Sequence, residues 1–185
     1  MTEEKTFTIS QAHHHFAVDF HSQAWELLEK KGRTRVEDAR MLNYAHASLA
    51  HWRTGGGVVR QQRGEWLIAR VHAVLGEGEP ALKHAQSCFQ LLEDNKAQMD
   101  DFDFAFAYEA IARAYAVSGD AAQAKKYIDL AQKAGDVIKE TGGVRVIYFI
   151  RNDVGELVLL TLYAKAKTDN LTGTVLKEIR RALED

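Results

Sequence analysis

Apolar residues recur three and four positions apart along most of the chain, the spacing that places side chains on one face of an α-helix. Glycine-containing turns separate these stretches, and Pro80 is the only proline in the sequence. Long uninterrupted runs are therefore free to form helix. The pattern predicts an all-α fold with six helices before residue 140, at approximately 11–31, 34–52, 59–75, 80–95, 103–118 and 121–139.

Residues typical of helix ends support these boundaries. Ser10 is a predicted N-cap for the first helix, and Gly32 is its predicted stop. Thr34 and Glu37 have the spacing of a capping box, in which each side chain accepts a free backbone N–H of the helix start. The glycine run 55–57 is interpreted as a flexible connector. It lacks the Gly-Lys-Ser/Thr end of a phosphate-binding loop.

The fifth and sixth helices repeat the pattern of the third and fourth at an offset of 43 residues. The two copies align without a gap. The two matching glycines, Gly76 and Gly119, stand in the predicted turns. The repeat aligns Ile68, Ala69, His72, Gly76, Ala81, Ala85 and Cys88 with Ile111, Ala112, Tyr115, Gly119, Ala124, Ile128 and Ala131.

The best-defined copy has the spacing Tyr108-x3-Ala112-x2-Tyr115-x3-Gly119-Asp120-x3-Ala124-x3-Ile128-x2-Ala131. This spacing resembles the tetratricopeptide (TPR) repeat, and the resemblance extends over roughly Glu65 to Ala134. It implies a right-handed α-α superhelix of three to four helical hairpins. The sequence departs from the family pattern at His72, where an aromatic residue is usual, and at Glu65, where a large apolar residue is usual. The offset also exceeds the ~34-residue TPR period, so extra residues are expected between 95 and 103.

We expect a single domain over 1–185, with an N-terminal helix pair (10–53), two TPR-like hairpins (59–95 and 103–139) and C-terminal capping helices (144–185). Val144–Ile150 has the residue types of a strand, but an isolated strand has no partner in an all-α domain. It is therefore interpreted as a short helix or an extended packing segment. Asp153 and Glu156 resemble a capping box for an apolar helix to about Lys167, and a last helix is predicted at 173–183.

Composition excludes several function classes. The chain is 46% apolar and 27% charged with a net charge of −2, which disfavours nucleic acid and anionic membrane as partners. Cys88 is the only cysteine, so no intramolecular disulfide is possible. We expect it to be a small buried side chain.

With no signal-peptide or membrane-span pattern, the predicted location is cytoplasmic. Acidic residues 100, 101 and 103 fit a helix N-terminus better than a calcium loop.

The TPR resemblance also implies a binding surface. In TPR arrays the first helix of each hairpin lines a concave groove, where ligands generally bind. Arginines can grip a carboxylate or phosphate, and aromatic rings offer apolar platforms. The simpler alternative is that the arginines are ion-paired surface residues and that Trp66 belongs to the core. The outward residues that would line the groove are Arg63, Trp66, Arg70, Phe106, Glu109 and Arg113.

The leading functional hypothesis is therefore a non-enzymatic scaffold or adaptor that holds an unknown protein or peptide partner in this groove, with no cofactor. No catalytic motif was identified: the sequence has neither a nucleophile elbow nor a dinucleotide fingerprint.

Histidines give a second hypothesis, a His-ligated metal protein that could act as a hydrolase. His14, His21 and His46 lie at the edges of apolar stripes on two helices expected to be neighbours, and His51 and His72 are further candidates. Imidazoles on facing helices can bind zinc, nickel or iron. The sequence contains no His-x3-His or Glu-x2-His pair, so hydrogen-bonded packing is the preferred interpretation of each histidine and no metal ligand is assigned.

The third hypothesis is an oligomerisation module. The apolar segment from Val144 to Tyr163 would then be buried between subunits, as in a homodimer formed through the C-terminal region.

Overall fold

The computed structural model describes residues 6–139, 144–150 and 157–164. The helical prediction is confirmed for 9–139, where six α-helices follow one another and a short 3₁₀ helix, Lys96–Gln98, joins the fourth to the fifth. The extra residues expected between 95 and 103 form this connection. The helices are α1 (Ile9–Glu29), α2 (Arg35–Gly55), α3 (Gly57–Val74), α4 (Gly78–Asp94), α5 (Asp101–Val117) and α6 (Ala121–Lys139).

Capping boxes start three of these helices. The predicted box at Thr34 and Glu37 is confirmed. The predicted cap at Ser10 is wrong, because Thr8 caps α1 and the Gln11 side chain accepts the Thr8 backbone N–H at 2.9 Å. Gln11 lies three residues after Thr8 and completes the two reciprocal hydrogen bonds of the capping box, whereas Ser10 lies inside the first turn of the helix. Asp100 starts α5 in the same way, as expected for the acidic cluster.

The turns at Gly76 and Gly119 have the same conformation. Both glycines are left-handed, with φ of 78° and 81°. In each turn the glycine N–H donates to the carbonyl three residues before it at 3.1 Å, and the next N–H donates to a carbonyl five residues back at 2.9 Å. This is the hydrogen-bond pattern of a glycine that terminates a helix. The two sequence copies therefore fold alike at their turns.

Alanine at either turn glycine is expected to reduce stability by about 1 kcal/mol, because a Cβ disfavours positive φ. Among the described residues, no atom beyond the chain neighbours lies within 4 Å of a Cβ built at either position, so the loss reflects backbone conformation alone. Chemical denaturation of Gly76→Ala and Gly119→Ala should give similar losses. Gly55→Ala, in helical backbone with only ordinary contacts, should instead be neutral or stabilising. Losses that differ by several-fold would contradict the equivalence of the turns.

Each helix packs against the next in the chain, and α3 also packs against α5. The largest core cluster lies between α1, α2 and α3 and includes Met41, Leu67 and Ile68, all fully buried. Gly64 lets α3 approach α2 closely, since a Cβ there would stand 2.9 Å from Leu49 Cδ1. Cys88 is fully buried, as expected, and burial raises the pKa of its thiol well above the ordinary value.

The glycine run 55–57 is not the flexible connector that was predicted. Only Gly56 separates α2 from α3. Gly57 has φ of 71°, a left-handed conformation that lets the chain change direction within one residue. The junction is therefore a tight bend between two consecutive helices.

The C-terminal predictions are corrected where the structure describes them. Val144–Ile150 is a strand, β1, and it pairs antiparallel with a second strand, β2 (Leu157–Ala164), where a capping helix was expected. An isolated strand would lack a partner, and the second apolar run supplies one. The predicted cap at Asp153 and the predicted helix at 173–183 lie outside the described residues.

Candidate functional site

A cleft of about 550 Å³ lies between α1, α3 and α5. These are the first helices of the three consecutive helix pairs. A volume of this size is typical of sites that receive a small molecule or a few residues of a peptide. The side chains that line the cleft are His21, Trp25, Glu29, Gln62, Arg63, Trp66, Arg70, Phe102, Asp103, Phe106 and Glu109.

Aromatic rings form much of the cleft wall. Trp66 stands at the centre, with its ring centroid 6.0 Å from that of Trp25 and 5.0 Å from that of Phe106, which it meets edge-on. Phe102 continues the wall, 5.9 Å from Phe106. Such rings bind apolar groups through large contact areas at little conformational cost. The wall is suited to an apolar or aromatic side chain of a ligand.

Arg63 is held by carboxylates at one end of the cleft. Its Nε donates to Asp103 Oδ1 at 2.8 Å, and its Nη2 donates to Asp100 Oδ2 at 2.7 Å. The Asp103 hydrogen bond is the main reason that the pKa of Arg63 is raised above its ordinary value. Asp103 is only 1% exposed. Arg63 therefore neutralises a buried carboxylate and joins α3 to α5, rather than presenting a free charge to a ligand.

Glu109 neutralises a second arginine. It is 1% exposed and accepts hydrogen bonds from Arg113 Nε at 2.7 Å and from Trp66 Nε1 at 3.1 Å. Arg113 Nη2 lies 2.6 Å from the same Glu109 oxygen. The Glu109 carboxylate therefore holds the indole ring of Trp66 in position at the centre of the wall and neutralises the positive charge of Arg113.

Arg70 differs from the other two arginines. Its guanidinium carbon lies 5.1 Å from the Trp25 ring centroid and 5.6 Å from that of Trp66, so both rings contribute cation–π contacts. Within the described ranges Arg70 forms no ion pair, and its buried Nε has no hydrogen-bond partner. A half-buried guanidinium is therefore directed into the cleft without an anion bonded to it.

Burial lowers the pKa of Arg70, and the nearby charge of Arg113 lowers it further, while Glu109 and Glu29 act in the opposite direction. An arginine remains protonated at neutral pH even so. The charge is therefore present and is only partly compensated by carboxylates at longer range. An anionic group entering the cleft would provide the missing partner.

Gln62 provides an unpaired acceptor in the same cleft. The residue is 1% exposed, and its Nε2 donates to Cys88 Sγ at 3.1 Å. Its buried Oε1 has no hydrogen-bond partner among the described residues. Eight positions separate Gln62 from Arg70 on α3, about 12 Å along the helix axis. Three to four residues of extended peptide span that distance.

The structure brings the predicted groove residues together. Arg63, Trp66, Arg70, Phe106 and Glu109 all line the cleft, whereas Arg113 does not line it and donates a hydrogen bond to Glu109. Two of the three arginines are ion-paired and Trp66 packs against core clusters, as the alternative interpretation predicts. The sequence did not predict that α1 and buried polar residues line the cleft. The lining residues outside the prediction are His21, Trp25, Glu29, Gln62, Phe102 and Asp103.

The predicted histidine set is not assembled. His14 contacts Arg60, with 2.7 Å between His14 Nε2 and Arg60 Nη1, and it meets Trp52 edge-on. His21 Nε2 accepts the indole N–H of Trp25 at 2.9 Å, and burial lowers the pKa of His21. His21 is therefore a hydrogen-bonded packing residue, the interpretation preferred from sequence. His51 pairs with His13, their Nδ1 atoms 2.9 Å apart.

Histidines from three helices converge elsewhere. His46 on α2, His72 on α3 and His84 on α4 each offer a nitrogen, and these atoms lie within 4.8 Å of one another. The His72 and His84 rings are stacked with centroids 5.5 Å apart, and His46 meets both edge-on. The pKa of His46 is lowered, first by partial desolvation of its otherwise exposed ring and then by the charges that the other two histidines can carry.

Carboxylates orient two of these rings. His84 Nδ1 lies 2.7 Å from Glu65 Oε2, and His72 Nδ1 lies 2.6 Å from Glu77 Oε2. Glu65 is 4% exposed and also accepts a bond from Arg53 at 2.7 Å. Burial raises the pKa of Glu65, but the hydrogen bond from His84 and the charges of His84 and Arg53 outweigh it, so the pKa is lowered overall.

No known protein family, curated protein or solved structure matches the chain. None of the helices in the described ranges combines the length and apolarity that crossing a membrane requires. The geometry of the cleft and of the histidine group is therefore the basis for assigning function.

Proposed function

We propose that the chain is a non-enzymatic, TPR-like binding module whose cleft holds a short peptide segment of a partner protein. The proposal includes the right-handed superhelical arrangement that the TPR resemblance implies. The matching turns at Gly76 and Gly119 support a repeated unit. The cleft between α1, α3 and α5 lies along the first helices of successive pairs, as a concave groove of stacked hairpins would.

Arg70 carries the proposal. A half-buried cation without a bonded anion is partly desolvated at a free-energy cost, which a ligand carboxylate would offset. Arg70 lies against two indole rings, so the complementary group is a carboxylate attached to an apolar or aromatic body. A peptide segment supplies both, because the carboxylate can bind Arg70 while a side chain packs on Trp66 and Phe106.

Peptide pools with matched end groups test this function. N-acetylated tetrapeptides that end in phenylalanine are prepared as free acids and as amides, and their binding is followed by NMR of the tryptophan indole N–H groups. We expect the free acids to shift the Trp25 and Trp66 signals and to bind at least about 10-fold more tightly than the amides, since one charge-assisted hydrogen bond contributes roughly 1.5–3 kcal/mol.

Two controls define the outcome. Trp52 does not line the cleft, so its indole signal should stay in place. An internal glutamate in an otherwise identical amide peptide distinguishes a side-chain carboxylate from a terminal one. Equal affinity of acids and amides, or no shift of either cleft tryptophan, would contradict the proposal.

A further inference from the structure

We infer that His46, His72 and His84 form a binding site for a divalent transition-metal ion, with Zn²⁺ as the ion to test. Three neutral imidazoles are a suitable donor set for zinc, copper or nickel. Their nitrogen atoms are already within 4.8 Å of one another. Zinc–nitrogen bonds of about 2.0–2.1 Å place tetrahedral ligands roughly 3.4 Å apart, so small side-chain rotations complete the site.

The carboxylates beside the histidines support a metal site over simple ring packing. Metal-binding histidines usually donate their other ring N–H to a carboxylate, which fixes the tautomer and the ring orientation. Glu77 accepts from His72 Nδ1 in this way, and Glu65 accepts from His84 Nδ1. Nε2 of each ring is then left unprotonated, with a lone pair available for an ion.

The site is separate from the peptide cleft. His72 and Arg70 are two positions apart on α3, which places them about 200° apart around the helix. None of the three histidines lines the cleft. Three protein ligands leave the fourth tetrahedral position open to water or to a further ligand. The ion would also link α2, α3 and α4, the helices that carry its ligands.

Metal titration of protein purified without a histidine tag tests the inference. We expect one Zn²⁺ per chain in competition with a chromophoric chelator, and a cobalt(II) spectrum typical of tetrahedral nitrogen coordination. His46 is exposed, so His46→Ala should remain folded while losing at least about 100-fold in zinc affinity. Single alanine variants of His72 and His84 should behave alike, with folding checked by circular dichroism.

The protein contains a matched control pair. His13 and His51 also place two ring nitrogens within hydrogen-bond distance, so His13→Ala with His51→Ala removes two histidines, one more than any single variant of the site, without touching the proposed ligands. This double variant should bind zinc like the unmodified chain. Glu77→Gln should weaken zinc binding by about 10- to 100-fold, because the carboxylate positions His72. Absence of stoichiometric binding, zinc affinity retained in His46→Ala, or zinc affinity lost in the control pair would overturn the inference.

Discussion

Glu109→Ala is expected to lower the free energy of unfolding by about 3–5 kcal/mol, the usual cost of removing one partner from a buried ion pair. The side chain of Arg113 is only 12% exposed and would keep its charge without its bonded carboxylate. The indole N–H of Trp66 would lose its acceptor at the same time. Urea denaturation followed by circular dichroism measures the loss.

Two further variants isolate the cause of this loss. Glu93→Ala removes a partly exposed glutamate that pairs with Lys96, and it should change stability by no more than about 0.5 kcal/mol. Replacing Glu109 and Arg113 together with leucine should recover much of the loss, because no unpaired charge then remains. A Glu109→Ala loss below about 1 kcal/mol would show that the pair does not hold the cleft wall in place.

Arg70→Met is expected to raise the free energy of unfolding by about 1–2 kcal/mol while abolishing the preference for free-acid peptides. Methionine keeps an unbranched apolar side chain between Trp25 and Trp66 and removes a desolvated charge that has no bonded partner. The lost cation–π contacts offset part of this gain. Thermal and urea unfolding give the stability change, and the peptide titration gives the functional change.

Arg40→Met is the matched control, since Arg40 is exposed on α2 and does not line the cleft. It should leave both stability and peptide binding nearly unchanged. A clear loss of stability in Arg70→Met would mean that Arg70 serves the fold, and the proposed ligand role would then lose its main support.

Local patterns in the sequence were sufficient to predict most of the helical part of the chain. Helical periodicity gave six helices, and the predicted bounds of α6 match the structure. The Gly76 and Gly119 turns were predictable because few residues other than glycine adopt positive φ readily. The β1–β2 pair was not, since strand pairing depends on a partner elsewhere in the chain and each apolar run alone is also compatible with helix.

The predicted cleft residues came from carrying the TPR groove onto α3 and α5. The same step applied to α1 would have added Trp25, which the structure places on the wall. Which arginine is unpaired could not be predicted, because the partners of Arg63 and Arg113 are set by packing between helices and by side-chain conformation.

Helical periodicity could not predict the histidine group, because its three members come from three different helices. The sequence pattern indicates His46 and His72 individually as candidates, but it does not indicate His84. Glu65 was the available signal, since it is a charged residue at a position where the repeat pattern has an apolar one. The structure explains that departure, because Glu65 binds His84 and Arg53.

The most direct test of the peptide-binding proposal is the NMR signal of the Arg70 Nε–H group during titration with the free-acid peptides, assigned by its absence in Arg70→Met. This group is a buried donor that has no hydrogen-bond partner in the described part of the chain. We predict that its proton signal moves downfield as a carboxylate binds, and that the amide peptides leave it in place. Binding of the free acids with no change in this signal would contradict the assignment of Arg70 as the carboxylate-binding residue.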